Sequence, residues 1–436
     1  MNTNTPISLA TTTTEAEPAR THSALWHPFS DMAAVCGNEF VVDRADGVWI
    51  YDQTGRRYLD STSSLWCVNV GHGRTEIRSA IHRQLAQLDS FSIFGDYSNQ
   101  PAMDLADRIA TLAPIDDAKV LFGSGGGDGI DTAARLSRHH FHALGLPGKT
   151  HIISRSGSYH GTHGWGITLA GIDANRAGNG PLIPDATQIP QDDADALEIE
   201  IQRIGPDRVA AFFCEPLVGS GGVYAPSEDY LKRVAEICRR YGVLLVIDSV
   251  ICGFGRLGTW FGIEKWNIRP DMIVFAKGVS NGTLPLGGVV ISGAVAAPFW
   301  NTRGNVFRHG ATYSGHPVCC AAALATLDLL DQSNLLAQGR ILEKPLADRL
   351  STLAGHPAVA EVRAGTGLIG GIELNPDLLA TTPGAIGAAF KAAREAGVLL
   401  RPLITSLAVS PPLTITEIEL DIMVEGIRAA LDTLTQ

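Results

Sequence analysis

The segment from Val243 to Gly278 constrains the fold of this chain more than any other. It begins VLLVID, ending on Asp248, and finishes DMIVFAKG, ending on Lys277 and Gly278. Each run is short and apolar, and each stops abruptly at a single charged side chain. Runs of this kind predict strands buried on both faces, which a parallel sheet flanked by helices requires. In an open α/β sheet, ligands bind beyond the carboxyl ends of the strands, so an acid and an amine placed there face one crevice. A lone lysine is most often a solvated surface charge, and a strand-end aspartate is most often a turn residue or a helix cap. The reading therefore depends on what the other strand ends contribute.

They contribute a matching set. The run KVLFGSGGGDGIDTAARL predicts a strand over 120–122, then Gly123 to Gly127, then a helix from about Asp128. Glycines between a strand and a helix N-terminus let backbone N–H groups approach an anion, which the helix dipole also attracts. No Gly-Lys-Ser/Thr follows, so this is not a Walker A loop; a dinucleotide-binding loop, and hence a nicotinamide dehydrogenase, stays open at this point. Strand HIIS (151–154) precedes Tyr159 and His160, and strand RVAAFFC (208–214) ends at Glu215. An aromatic at such an edge can stack on a flat ring, or simply pack its own loop. His160 and His163 lack a third ligand, so no metal site is expected.

Five strand ends thus offer an anion cradle, an aromatic, two acids and an amine. A lysine between Ala276 and Gly278, desolvated by apolar surroundings, can act as a neutral amine nucleophile. Asp248 can hold a protonated ring nitrogen. Together these are the equipment of a pyridoxal phosphate site, with a Schiff-base lysine and an acidic partner for the pyridinium.

Elsewhere, residues 40–60 alternate around D-G and T-G turns and predict a small antiparallel meander. Helices are expected over 76–87, 101–112 and 228–241, and a further strand over 287–292. Beyond about Gln332 come helices near 333–353, 384–397 and 416–434, with strands near 358–374, as in a smaller α+β domain. Residues 1–24 are expected to form a polar leader, without the basic start and apolar core of a secretory signal. At 436 residues the chain can bury a large core. Its net charge of −11 argues against nucleic acid or an anionic membrane as partner, and no apolar run is long enough for a membrane span. Seven scattered cysteines without a C-x-x-C pair suggest neither zinc nor a disulfide framework, and a reducing cytoplasm is expected.

The chain resembles the class III aminotransferases of fold type I, most closely the ω-transaminases that use amines or ω-amino acids with pyruvate. The likeness runs through nearly everything after residue 24 and is carried by LWCVNVGHG, YHG, DSVICGFGRLGTWFG, AKG, TYSGHPVC and SPPL. The resemblance implies a large domain (71–330) with a mainly parallel seven-stranded sheet flanked by helices. It also implies a C-terminal small domain (331–436), with segment 25–70 packed on it. Lys277 would carry the Schiff base and shuttle a proton, and Asp248 would hold the pyridine nitrogen protonated. Tyr159 and Val250 would sandwich the ring, with Gly125, Gly126 and Gly127 under the phosphate and His160 and Glu215 close by. Thr312 would reach the neighbouring subunit's phosphate, implying a homodimer or a tetramer of such dimers. Trp66 and Phe91 would wall the substrate pocket, and Arg401 would pair with a substrate carboxylate or swing away for an apolar amine.

Three segments depart from the family pattern. Gly125-Gly126-Gly127-Asp128 replaces S-G-S-E, removing two hydroxyls. Ser249 replaces the glutamate of D-E-V, and Val218 a glutamine expected near the cofactor's phenolic oxygen. A ping-pong transamination from a primary amine or ω-amino acid to an oxo acid, expected to be pyruvate, follows from the resemblance. An aminomutase, a decarboxylating aminotransferase or a non-catalytic pyridoxal-binding protein would share the fold.

Overall fold

In the computed structural model, which describes residues 23–435, the runs ending at Asp248 and Phe275 lie side by side at the centre of a seven-stranded sheet. All but the last two residues of the expected leader lie outside the described residues. Across the sheet the strands are Lys119–Gly123, Gly287–Ile291, Met272–Phe275, Leu244–Asp248, Val209–Cys214, His151–Arg155 and Ala186–Ile189. Neighbours from Met272–Phe275 to Ala186–Ile189 pair in parallel, and Gly287–Ile291 runs antiparallel to both of its neighbours.

The central strands are buried on both faces because helices cover both. Phe212, Leu245, Ile247, Ile273 and Phe275 point into a core shared with the helices Tyr230–Tyr241 and Pro317–Gln332. Phe213, Val246, Met272 and Val274 face the opposite core, with Ile130, Ala133 and Ala134 of the helix Gly126–Ala143. Burying each such side chain contributes roughly 1.5–3 kcal/mol, which explains why the strands carry no alternating polar residues. Gly129 lets that helix sit close: a Cβ there would lie 2.6 Å from Val274 Cγ1.

The predicted meander forms strands Val42–Asp46, Trp49–Asp52 and Arg57–Asp60, paired antiparallel. A short strand from near the C-terminus, Val398–Leu399, adds to it in parallel against Arg57–Asp60. A third sheet, Val359–Arg363, Gly370–Leu374, Ser406–Val409 and Arg401–Pro402, packs with helices Leu335–Ser351, Ala385–Glu395 and Glu417–Asp432. The sequence reading lacked the edge strand Ala186–Ile189, the helix Ala194–Ile204 and the short strands after Val398. No helix among the described residues is long and apolar enough to cross a membrane.

Candidate active site

A cavity of about 1310 Å³ opens beyond the carboxyl ends of the central strands. Its walls include Gly125, Gly126, Gly127, Tyr159, His160 and Glu215, and also Asp248, Val250, Lys277, Trp66 and Arg401. These residues come from segments far apart in sequence, and the sheet topology brings their strand ends together.

Lys277 follows the strand Met272–Phe275 at a left-handed φ of 52°, a strained conformation for a residue with a Cβ. Its amine is half-buried, 5.7 Å from the centre of the Trp66 ring. Burial pulls its pKa below the ordinary lysine value, while Asp248, Cys67 and Glu215 pull the other way. Asp248 is 4% exposed. One carboxylate oxygen lies 2.7 Å from Nδ1 of His160, and the other accepts from the Val250 N–H at 3.0 Å. The two contacts fix the plane of the carboxylate. His160 Nε2 is buried without a partner.

Glu215 is 2% exposed and accepts from the N–H groups of Tyr159 (3.2 Å) and Gly219 (2.9 Å). Desolvation raises its pKa, against the opposing influence of His160. Behind it, the buried Arg155 donates to the Glu215 carbonyl at 2.5 Å. Arg401, in the strand Arg401–Pro402, reaches the cavity from the C-terminal part of the chain. Among the described residues no carboxylate pairs with it; burial lowers its pKa and the Tyr159 phenol opposes that. An unpaired guanidinium in a half-buried wall is a ready receptor for an anionic group.

The helix Gly126–Ala143 begins two residues earlier than the sequence suggested, with Gly125 in extended backbone as its cap. Asp128 turns back and accepts from the Ser124 N–H at 2.7 Å, so its carboxylate braces the glycine turn. A Cβ on Gly126 would lie 2.9 Å from Val250 Cγ2, and one on Gly127 3.0 Å from the His163 ring. The turn is thus packed from both sides, and Gly125, Gly126 and Gly127 line the cavity.

The other two departures do not meet the cavity. Ser249 turns inward and donates to the Phe261 carbonyl at 2.6 Å, so the residue type at 249 is read by the protein core. Val218 forms a bridge to Tyr224 and is absent from the cavity wall. Phe91 and Thr312 also stand outside this chain's cavity. Phe91 is 52% exposed, edge-on to Tyr97, and Thr312 lies exposed on the surface. Among the wall residues that the sequence reading did not assign are Phe29 and Cys67. Phe29 closes one side, its ring 6.4 Å from that of Tyr159, and Cys67 stands next to Trp66. Nothing in the local pattern of LWHPF signals such a role, since its approach to Tyr159 is purely tertiary.

The site suits pyridoxal phosphate. It combines a buried carboxylate for a ring nitrogen, a desolvated amine, an aromatic and a valine to sandwich a ring, and a glycine-rich helix start for a phosphate. With the doubly covered, mainly parallel sheet, it defines an α/β enzyme of the fold type I class dependent on that cofactor. The aminotransferase class-III family model matches residues 32–431, and the chain belongs to that family. It is 34% identical over 415 residues to a putrescine–pyruvate aminotransferase of Pseudomonas aeruginosa, with 90% of each chain covered. It is 35% identical over 428 residues to an omega-aminotransferase of Caulobacter vibrioides, covering 94% of this chain and 97% of that one. Among solved structures, an amine transaminase from an uncultivated Pseudomonas species, determined with pyridoxal phosphate bound, superposes with a TM-score of 0.89 at 34% identity. That match covers 94% of this chain and 99% of the other. The dehydrogenase alternative falls with this assignment.

Proposed function

We propose that this aminotransferase moves an amino group from a primary amine or ω-amino acid to an oxo acid, with pyruvate as the acceptor. The observation that carries the reading is the half-buried Arg401, which has no carboxylate partner among the described residues and shares one cavity with Lys277. A guanidinium there receives the carboxylate of pyruvate or of an ω-amino acid, and the apolar wall of Trp66 and Phe29 receives the chain of a neutral amine.

Gly125 to Gly127, Tyr159 and Val250 would hold the cofactor, which would supply an electron sink for the bond broken next to nitrogen. Asp248, fixed by His160, keeps a positive charge on the ring nitrogen. The desolvated Lys277 amine would take the proton from the substrate carbon next to nitrogen and hold it for return later in the reaction. Glu215 orients the Tyr159 loop through the backbone. The hydrolysed product leaves as an aldehyde or ketone, and the oxo acid runs the steps in reverse.

Thr312 and its exposed surroundings fit a homodimer in which each subunit completes its neighbour's phosphate site. The continuous pairing of Arg57–Asp60 with Val398–Leu399 supports packing of segment 25–70 on a small domain 331–436, beside a large domain 71–330. A cytoplasmic location accords with seven scattered cysteines that form no C-x-x-C pair in the sequence. The test is alanine formation from pyruvate with a panel of diamines, ω-amino acids and arylalkyl amines. Multiple turnovers with at least one ω-amine support the reading; carbon dioxide release, or turnover without any acceptor, would replace it by a decarboxylating enzyme or an aminomutase.

A further inference from the structure

The segment that carries Trp66 into the cavity is held in an unusual backbone. Ser63, Ser64 and Trp66 have left-handed φ values of 48°, 60° and 60°. Non-glycine residues rarely adopt such values, and a run of them persists only where the surroundings enforce it. Part of that enforcement is local: Asp60 accepts from the N–H groups of Thr62 (3.1 Å) and Ser64 (2.6 Å), and His72 lies 2.8 Å from the same carboxylate.

The rest comes from Arg256, in the turn that follows the Asp248 strand. Arg256 is 0% exposed, and among the described residues it has no carboxylate in ion-pair contact. Its Nη2 donates to Ser63 Oγ (3.0 Å) and Asn69 Oδ1 (2.9 Å), and its Nη1 to the carbonyls of Leu368 (2.8 Å) and Pro411 (2.6 Å). Ser63 Oγ in turn donates to the Ser410 carbonyl at 2.7 Å, and Ser410 N–H to Ser61 at 2.6 Å. A buried guanidinium spent on neutral acceptors is costly to retain, so the geometry it enforces is what it supplies.

We infer that Arg256 is a positioning residue: it clasps the 61–69 turn to the C-terminal segments and thereby sets how far Trp66 stands into the substrate cavity. The clasp thus controls which amine sizes are accepted, an inference that rests on the proposed function for the pocket's substrates but not for the clasp itself. An activity-independent readout comes first. In Arg256→Gln, hydrogen exchange of full-length protein should accelerate by about ten-fold or more over 61–69 and at Val409 and Ser410, with the strand 244–248 unchanged. Arg256→Lys, which keeps the charge but not the fork, should recover only part of the protection.

Selectivity is read as the ratio of kcat/KM for propylamine and 1-phenylethylamine with pyruvate. Arg256→Gln should change that ratio by about ten-fold, and in a Trp66→Gly background the same substitution should change it by less than about two-fold. If Arg256→Gln fails to fold, Ser63→Ala and Asn69→Ala each remove one acceptor and should give the same changes in smaller measure. Unchanged exchange over 61–69, an equal loss for both amines, or an undiminished effect without the indole would overturn the inference. Failure of the wild-type protein to use any amine would count against the proposed function, and the exchange result would still decide the clasp.

Discussion

Lys277 stands where two unfavourable conditions coincide: a left-handed backbone and desolvation of its amine. A strained φ at a non-glycine residue costs on the order of 1–3 kcal/mol, and such strain collects at functional sites. Removing the side chain should therefore abolish turnover without loss of fold. Lys277→Ala is expected to reduce transamination by more than about 10³-fold, while the melting temperature of the cofactor-free protein does not fall. A variant that is unfolded or still active would contradict this. The lowered pKa has a definite sign. Burial favours the neutral amine, so the nucleophilic fraction of Lys277 at any pH below the ordinary lysine value of 10.5 exceeds that of a free lysine. The rate at which cofactor-free protein takes up pyridoxal phosphate should rise with pH and level off below that value, as followed by absorbance. At Asp248, replacement by Asn keeps the shape but removes the charge that balances the ring nitrogen. Turnover should fall by about 10²-fold or more, with KM for the amine changed much less.

The elements explain why so much of this site could be read from the chain. Strands buried on both faces leave a continuous apolar run that a single charge interrupts, so Asp248 and Lys277 stand out against VLLVI and MIVFA. The glycine turn was legible for the same reason, because a short apolar strand precedes it. Where burial is one-sided or the contact long-range, the signal is lost. Ala186–Ile189 lies at the sheet edge and carries Thr187 and Gln188, and Phe29 meets Tyr159 across more than a hundred residues of chain. The sequence also could not tell that Ser249 faces inward to Phe261, since strand-end geometry alternates sides in a way that a turn interrupts. The tight seat of the glycine turn yields its own prediction. In Gly126→Ala the new Cβ must displace Val250 by several tenths of an ångström. Stability should drop by about 1–3 kcal/mol and cofactor retention on dialysis should weaken, whereas Gly387→Ala, in a helix where nothing lies within 4 Å, should weaken neither.

Across the whole molecule, the surface around Thr312 is unusually apolar. Phe91, Phe94, Tyr97 and Tyr313 are all more than half exposed, Phe91 meets Tyr97 at 5.3 Å, and Phe94 packs against Gly310. Contiguous patches of this kind mark protein interfaces. A dimer is expected by light scattering at micromolar concentration, and Thr312→Ala should remain dimeric while releasing cofactor about ten-fold faster. A monomer that binds cofactor as tightly as the dimer would remove Thr312 from the site. The central claim, that Lys277, Asp248 and Arg401 serve one ping-pong transamination, is tested most directly by absorbance titration of the cofactor-loaded protein. Adding an ω-amine without acceptor should bleach the yellow band of the bound cofactor, and pyruvate should then restore it with one alanine formed per site. A band that no amine alters, or that returns with pyruvate in Arg401→Ala as readily as in the wild type, would contradict the account.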